Sequence, residues 1–246
     1  MLLKILQTYK TIGLEALNKN LLLTNREDRK YVFPINQLEK VLLKCNENYA
    51  ILEIGASRIF DYRNTYYDTK DLSMYHQHQR GKKTRCKLRH RVYLQTNDSY
   101  FEVKTSNNKD KTTKERCKAQ SINDATELIE QYSPSKVNEL LESLCIEYKR
   151  ITLLHKVHTE KITFDIQMSC SRAENKISFE QLVFAEVKTM TGHNIAFCTI
   201  MKDMEIRSGS LSKYCIGIAN LYKDVKQNNF KVTLKKIQNK TTYATS

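Results

Sequence analysis

The segment Arg85–Tyr93, RCKLRHRVY, sets Arg85, Lys87, Arg89, Arg91 and Tyr93 at alternate positions. Alternate residues of a β-strand share one face, so four cations point the same way. Like charges side by side repel, and such a row persists only where water or a dense polyanion neutralises it. The row therefore reads as an anion site. Other strand-like segments repeat the device. Arg26, Asp28 and Lys30 lead into Tyr31-Val32-Phe33; Glu102 and Lys104 alternate in YFEVK; Lys161, Thr163 and Asp165 alternate in KITFD; Glu186 and Lys188 alternate in FAEVK.

The whole chain leans the same way. Its 246 residues carry 41 Lys and Arg against 27 Asp and Glu, a net +14, which directs it toward a polyanion: phosphate chains, nucleotides, nucleic acid or an anionic membrane surface. Charge does not choose among them. Seven widely spaced cysteines without a CxxC pair argue against a disulfide framework or a zinc cluster, and a reducing cytoplasm is the expected compartment. No apolar run is long enough to span a bilayer. With no repeat and no Pro- or Gly-rich linker, the expectation is a single domain over 1–246. It comprises a core at about 25–225, an amphipathic N-terminal helix over 1–23 and a tail over 226–246.

Apolar periodicity predicts a helix from Pro34 to about Asn46, strands over 49–54 and 58–67, and a short helix over 71–79 closed by Gly81. The basic strand and Tyr100-Phe101-Glu102 flank the turn QTNDS as a hairpin. Residues 105–121 read as a polar, mobile loop. Helices are expected over 122–132 and 135–143, strands over 145–155, 159–168 and 181–190 with a polar loop before the last, and helices over 194–204 and 212–223. In a sandwich the alternating charges would merely face solvent. Against that, acidic and basic residues sit as E-x-K in two strands, each flanked by large apolar residues that would cover an exterior. An α+β fold with an antiparallel closed β-barrel, its interior lined by cations and its outside wrapped by helices, accounts for both faces.

The ordered series DRKYVF at 28–33, TYYDTKDLSMYHQH at 65–78, KLRHRVY at 87–93, FEVKT at 101–105, EYKR at 147–150, KITFD at 161–165, FAEVK at 184–188 and LSKYC at 211–215 resembles the VTC (vacuolar transporter chaperone) domain of the triphosphate tunnel metalloenzyme, or CYTH-like, superfamily. The resemblance covers about residues 25–225. It implies a tunnel-forming barrel that takes ATP and polyphosphate or triphosphate, with Mn²⁺ or Mg²⁺ as cofactor and polyphosphate polymerase activity. Lys30 matches a phosphate-binding lysine, Arg89 and Arg91 an R-x-R pair that grips phosphate, and Tyr148 and Arg150 a Y-x-R element. Lys161 stands where the polymerases have arginine, Ser212 and Lys213 match an S-K pair, and Glu186 matches a metal-binding glutamate. Lys87, Lys104 and Lys188 continue the lining, and Glu102 joins the metal ligands by strand parity with Lys104.

One departure is informative. Hydrolases and cyclases of the superfamily carry E-x-E-x-K in the first strand, whereas the equivalent positions here are Arg26, Asp28 and Lys30. An acidic ligand is replaced, which disfavours a two-metal hydrolytic site. A triphosphatase of the same fold and a binding module for polyphosphate or inositol polyphosphate remain the alternatives. No RNA-binding signature accompanies the basic residues, so nucleic acid is not the expected partner. His76 and His78 diverge at that spacing on a helix, Cys86 and Cys215 read as buried thiols, and Asp68 and Asp71 read as a strand end and a helix cap.

Overall fold

The alternation in the basic segments becomes one long antiparallel sheet in the computed structural model, which describes residues 1–19, 26–107, 112–190 and 195–245. In chain order these form α1 (Leu2–Gln7), β1 (Thr11–Ile12), α2 (Leu14–Lys19), β2 (Arg26–Pro34), α3 (Leu38–Cys45), β3 (Tyr49–Leu52), β4 (Phe60–Thr69), α4 (Ser73–Gln79) and β5 (Arg85–Tyr93). Then follow β6 (Asp98–Ser106), β7 (Thr112–Lys118), α5 (Thr126–Tyr132), β8 (Leu140–His155), β9 (Glu160–Arg172), β10 (Asn175–Phe179), β11 (Leu182–Met190), α6 (Ala196–Asp203), α7 (Lys213–Leu221) and α8 (Lys231–Thr245). The strand order is β2-β11-β9-β8-β4-β5-β6-β7, with β10 added beside β9, β3 beside β8, and β1 parallel to β3.

Residues directly opposite in an antiparallel ladder share a face. The register therefore writes out the inner face: Lys30 opposes Glu186, Lys188 opposes Lys161, Asp165 opposes Arg150, Asn64 opposes Arg91, and Glu102 opposes both Arg89 and Arg116. The outer face is apolar. Phe33, Ile151, Ile162, Phe164 and Val187 pack there against Val41 and Leu42 of α3 and Phe197 and Met201 of α6, all fully buried. Burying each such side chain contributes about 1.5–3 kcal/mol. Farther along, Leu88, Phe101 and Val103 cover Met74 of α4 and Ile129 of α5.

One end of the inner face is apolar as well. Leu144, Ile146, Cys170 and Phe184 receive Tyr214, Cys215 and Ile218 of α7, and Ile237 of α8 joins them. A bulge displaces the β8–β9 register between Glu147 and Lys149, and Gln167 opposite takes a left-handed φ of 51°. Gly217 lets α7 lie close to the sheet: a Cβ there would come within 2.5 Å of Leu144 Cδ2 and 3.2 Å of Cys170 Sγ.

Several expectations are corrected. The helix foreseen over 1–23 is two short helices split by β1, because Ile51 and Glu53 donate their backbone N–H groups to Lys10 and Ile12 and draw that segment into the sheet. Residues 20–23 of that expectation lie outside the described residues. The mobile loop foreseen over 105–121 contains β7, paired along its length with β6; 108–111 lie outside the described residues. The helix over 135–143 is one short 3-10 turn, after which Leu140 begins β8, because β4 offers partners to Leu140, Leu141 and Glu142. The polar loop before β11 holds β10, and the tail holds α8.

Full closure of the barrel is corrected too. Among the described residues β2 and β7 end the sheet without pairing to each other. The outward edge of β2 is already used, since Tyr31 bridges Ser208 and Gly209 donates its N–H to the Lys30 carbonyl at 2.9 Å. Lys104 of β6, its pKa lowered first by burial, nonetheless lies near enough to Lys188 of β11 and Lys30 of β2 for their charges to lower it further, so the two ends of the inner face approach each other.

Replacing Gly217 by valine should overpack the α7–sheet contact and cost about 1–3 kcal/mol. A thermal melt checks it; an unchanged midpoint would show that α7 does not depend on this close approach.

Candidate active site

Each strand of the inner face brings its charges into line by alternation alone. On β5, Arg91 donates from Nε to Asn64 Oδ1 at 2.8 Å and reaches the Tyr148 hydroxyl at 3.3 Å. Arg89 donates from Nε to Glu102 Oε2 at 2.5 Å and from Nη1 to the Tyr66 hydroxyl at 3.4 Å. Glu102 is only 2 % exposed and serves three cations, because Lys114 Nζ donates to its other oxygen at 2.6 Å and Arg91 approaches to 3.8 Å. Burial alone would raise the Glu102 carboxyl, but Arg89, Arg91 and Lys114 hold it well below the usual carboxylate range.

A second buried carboxylate does the same on the other half of the sheet. Asp165, 1 % exposed, accepts from Arg150 Nε at 2.6 Å and Nη2 at 2.8 Å, and Lys213 Nζ lies 2.8 Å from its Oδ2. Burial would raise this carboxyl, and Arg150 and Lys213 drive it down instead. The Lys213 ammonium also lies 5.6 Å from the Tyr148 and Phe184 rings. Ser212 caps α7 by accepting from the Cys215 N–H, and its Oγ also receives Lys87 Nζ at 3.0 Å.

The position of α7 is set from beneath. Asp68, fully buried, accepts the Met74 and Tyr75 backbone N–H groups at the start of α4 and the Tyr214 hydroxyl at 2.5 Å. The Tyr214 ring stacks on Tyr66 at 5.1 Å, and Tyr66 in turn meets Arg89. Asp68, expected to mark a strand end, thus serves the start of α4, the role expected of Asp71, and also ties α7 to the cation face; Asp71 instead accepts from the Thr69 hydroxyl.

Toward β2 and β6 the cations outnumber their partners. Burial, with the neighbouring charges of Lys104, Lys30 and Arg85, pushes Lys87 down to about 8, against some opposition from Cys215. Burial, with Lys188 and Lys30, likewise pushes Lys104 down to about 8. Glu186 would be raised by burial but is held low by Lys188, Lys30, Lys213 and Arg150. Lys188 Nζ stands 3.7 Å from both Glu186 Oε1 and Asp28 Oδ2. An ammonium between two carboxylates marks a place suited to a hard cation, and Mg²⁺-like ions use one or two carboxylates and leave other positions to phosphate oxygens. The residues present fit such an ion. Among the described residues no three His, Cys, Asp or Glu converge to cage one unaided.

The inner face thus gathers Lys30, Lys87, Arg89, Arg91, Glu102, Lys104, Tyr148, Arg150, Lys161, Glu186 and Lys188, and α7 adds Ser212 and Lys213 at its start. Three participants escaped the sequence reading. Lys114 was hidden in the supposed loop, although Lys114, Arg116 and Lys118 alternate like the other strands. Asp165 shares the alternation of Lys161 and Thr163 without having been given a role. Asp28 enters the sequence comparison only as the acidic residue left in the first strand where Arg26 replaces the other.

Comparison with known proteins places this geometry. The structure resembles that of a putative adenylate cyclase from Bacillus halodurans, 14% identical, over 81% of this chain and 100% of that one, with a TM-score of 0.52. A putative adenylyl cyclase from Hippeastrum, described as having a dominant triphosphatase activity, is 10% identical over 78% of this chain and 95% of that one, with a TM-score of 0.49. No curated protein matches by sequence. The class is the CYTH-like tunnel fold, a mostly antiparallel sheet with helices around a charged inner face. Within it the chain belongs to the VTC domain family, whose model matches residues 25–222.

Two expectations follow. Asp165→Asn leaves Arg150 and Lys213 without their shared counter-charge and should cost about 3–5 kcal/mol in a denaturant titration; a loss under about 1 kcal/mol would mean the pair is solvated. Because burial pushes Lys87 and Lys104 down to about 8, their charge is nearly complete only well below that pH, half lost at it and fading above it. Affinity for inorganic tripolyphosphate should therefore fall between pH 7.5 and 9.5 in calorimetry; an affinity flat across that window would remove these lysines from the binding surface.

Proposed function

We propose that this chain is a metal-dependent phosphotransferase that moves the terminal phosphate of ATP onto a polyphosphate chain. The observation that carries the reading is the single face on which Arg89, Arg91, Arg150 and Lys213 are aligned by two buried carboxylates, beside Lys87 and Lys104, whose pKa values burial and neighbouring cations lower. Membership of the VTC domain family supports it.

Phosphoryl transfer asks little covalent chemistry of a protein and much positioning and charge. Arg89, Arg91 and Arg150 present planar forks suited to phosphate oxygens, already oriented by Glu102, Asn64 and Asp165. Such preorganised donors stabilise charge as the bond to the leaving group loosens, without reorganising at that moment. Ser212 and Lys213 close the α7 side, while Lys30, Lys104, Lys161 and Lys188 line the path of the acceptor. Tyr148, whose hydroxyl burial would raise but Arg150 and Arg91 lower, offers a further hydrogen bond there. Lys161 supplies a point charge where the polymerases have a bidentate donor. Glu186 and Asp28 would hold Mn²⁺ or Mg²⁺, which supplies charge neutralisation and alignment of phosphate oxygens when bound. Glu102 would join them only by releasing Lys114 or Arg89, so its role in this reading is to orient the arginines.

Incubating purified protein with ATP and Mn²⁺ or Mg²⁺, with and without a short polyphosphate primer, tests the reading. Long chains with matching ADP are expected. Phosphate release without chains would make the protein a triphosphatase, and tight polyphosphate binding without turnover would make it a binding module. Glu186→Gln should abolish turnover and spare much of the tripolyphosphate binding, whereas Arg89→Ala with Arg91→Ala should abolish both. Metal-dependent turnover surviving Glu186→Gln would refute the metal assignment.

A further inference from the structure

Beyond Arg91 the inner face changes character. Tyr93 continues the β5 row, and its ring lies 5.0 Å from Tyr62 and 6.1 Å from Tyr100. Tyr62 is stacked on Tyr148 at 5.4 Å and flanked by the guanidinium groups of Arg150 at 4.9 Å and Arg91 at 5.4 Å. Arg116 of β7 lies 4.9 Å over the Tyr100 ring. Tyr62 is buried and braces this group, whereas Tyr93 and Tyr100 are half-buried and Arg116 is exposed. Tyrosine faces set among guanidinium planes add no stacking contact for a bare phosphate chain, which has no π-face and no apolar surface. They match a flat heteroaromatic ring, which stacks on tyrosine and on arginine alike.

Position agrees with chemistry. Two residues along a strand span about 7 Å, so Tyr93 lies one such step from Arg91 and two from Arg89. That places the aromatic group within reach of one nucleotide whose phosphates lie on the arginines. We propose that Tyr93, Tyr100 and Arg116 form a nucleobase platform, so that the site distinguishes a nucleoside triphosphate from inorganic triphosphate by stacking its base at this end. The proposal rests on the reading of the arginine face as a triphosphate site and adds the end at which the nucleoside sits. It also orients the substrate: the terminal phosphate points away from Tyr93, toward Lys87 and Lys104.

Metal-free calorimetry on the full chain, with ATP and with inorganic tripolyphosphate as separate probes, decides it. Tyr100→Leu and Arg116→Gln should each weaken ATP about tenfold or more and leave tripolyphosphate within about twofold. Arg116 is exposed, so its variant answers the question even if Tyr100→Leu melts early. Equal losses for both probes would make Arg116 a general phosphate contact and overturn the platform, as would unchanged ATP affinity in both variants. Failure of the unaltered protein to bind tripolyphosphate would refute the triphosphate site itself, a different outcome from either.

Discussion

Crowding Arg89, Arg91, Arg150 and Lys213 onto one face costs Coulomb energy that only nearby anions offset, and Glu102 and Asp165 supply them. Each carboxylate is almost wholly buried, and each is shared by side chains from two other elements: Glu102 by Arg89 and Arg91 of β5 and Lys114 of β7, Asp165 by Arg150 of β8 and Lys213 of α7. Arg91, which reaches Asn64 of β4 and Tyr148 of β8, joins the two groups. Shared in this way, one negative charge orients several positive ones and leaves a surplus facing inward. A structure with one anion per cation would present a neutral face instead.

The same logic explains where helices appear. The outer face needs apolar cover, and α3, α5 and α6 provide it. The inner face needs an apolar stop at one end, and α7 provides that through Gly217 and the Tyr214–Asp68 hydrogen bond. Its first residues, Ser212 and Lys213, reach the cation face because the helix behind them is fixed. The stop and the site are two ends of one element.

The rows at β5, β6, β9 and β11 were legible because alternation is a local property: strand geometry converts it into a face whatever the partner strands are. The short helix α4, the hairpin β5–β6 and the α6 and α7 segments were legible for the same reason. What failed depended on distant partners. Residues 135–143 have helical periodicity, and β4 overrides it by offering a ladder to Leu140–Glu142. Thr112–Lys118 alternates as well, but its other face carries Thr113, Glu115 and Cys117 in place of large apolar cover, so only pairing with β6 marks it as a strand and brings Lys114 to the cation face. Asp165 was visible in sequence, but its importance lies in being buried between Arg150 and Lys213, which no local pattern states. The expected closure is not seen among the described residues, where β2 and β7 do not pair and Ser208 and Gly209, far along the chain, meet the edge of β2 at Tyr31 and Lys30.

That unpaired seam has a topological consequence. A sealed cylinder fixes the spacing of its first and last strands by a ladder of backbone hydrogen bonds. Among the described residues β2 and β7 make no such ladder, so no backbone register sets their separation, and it is left to the 208–209 cover and to the side chains of the inner face.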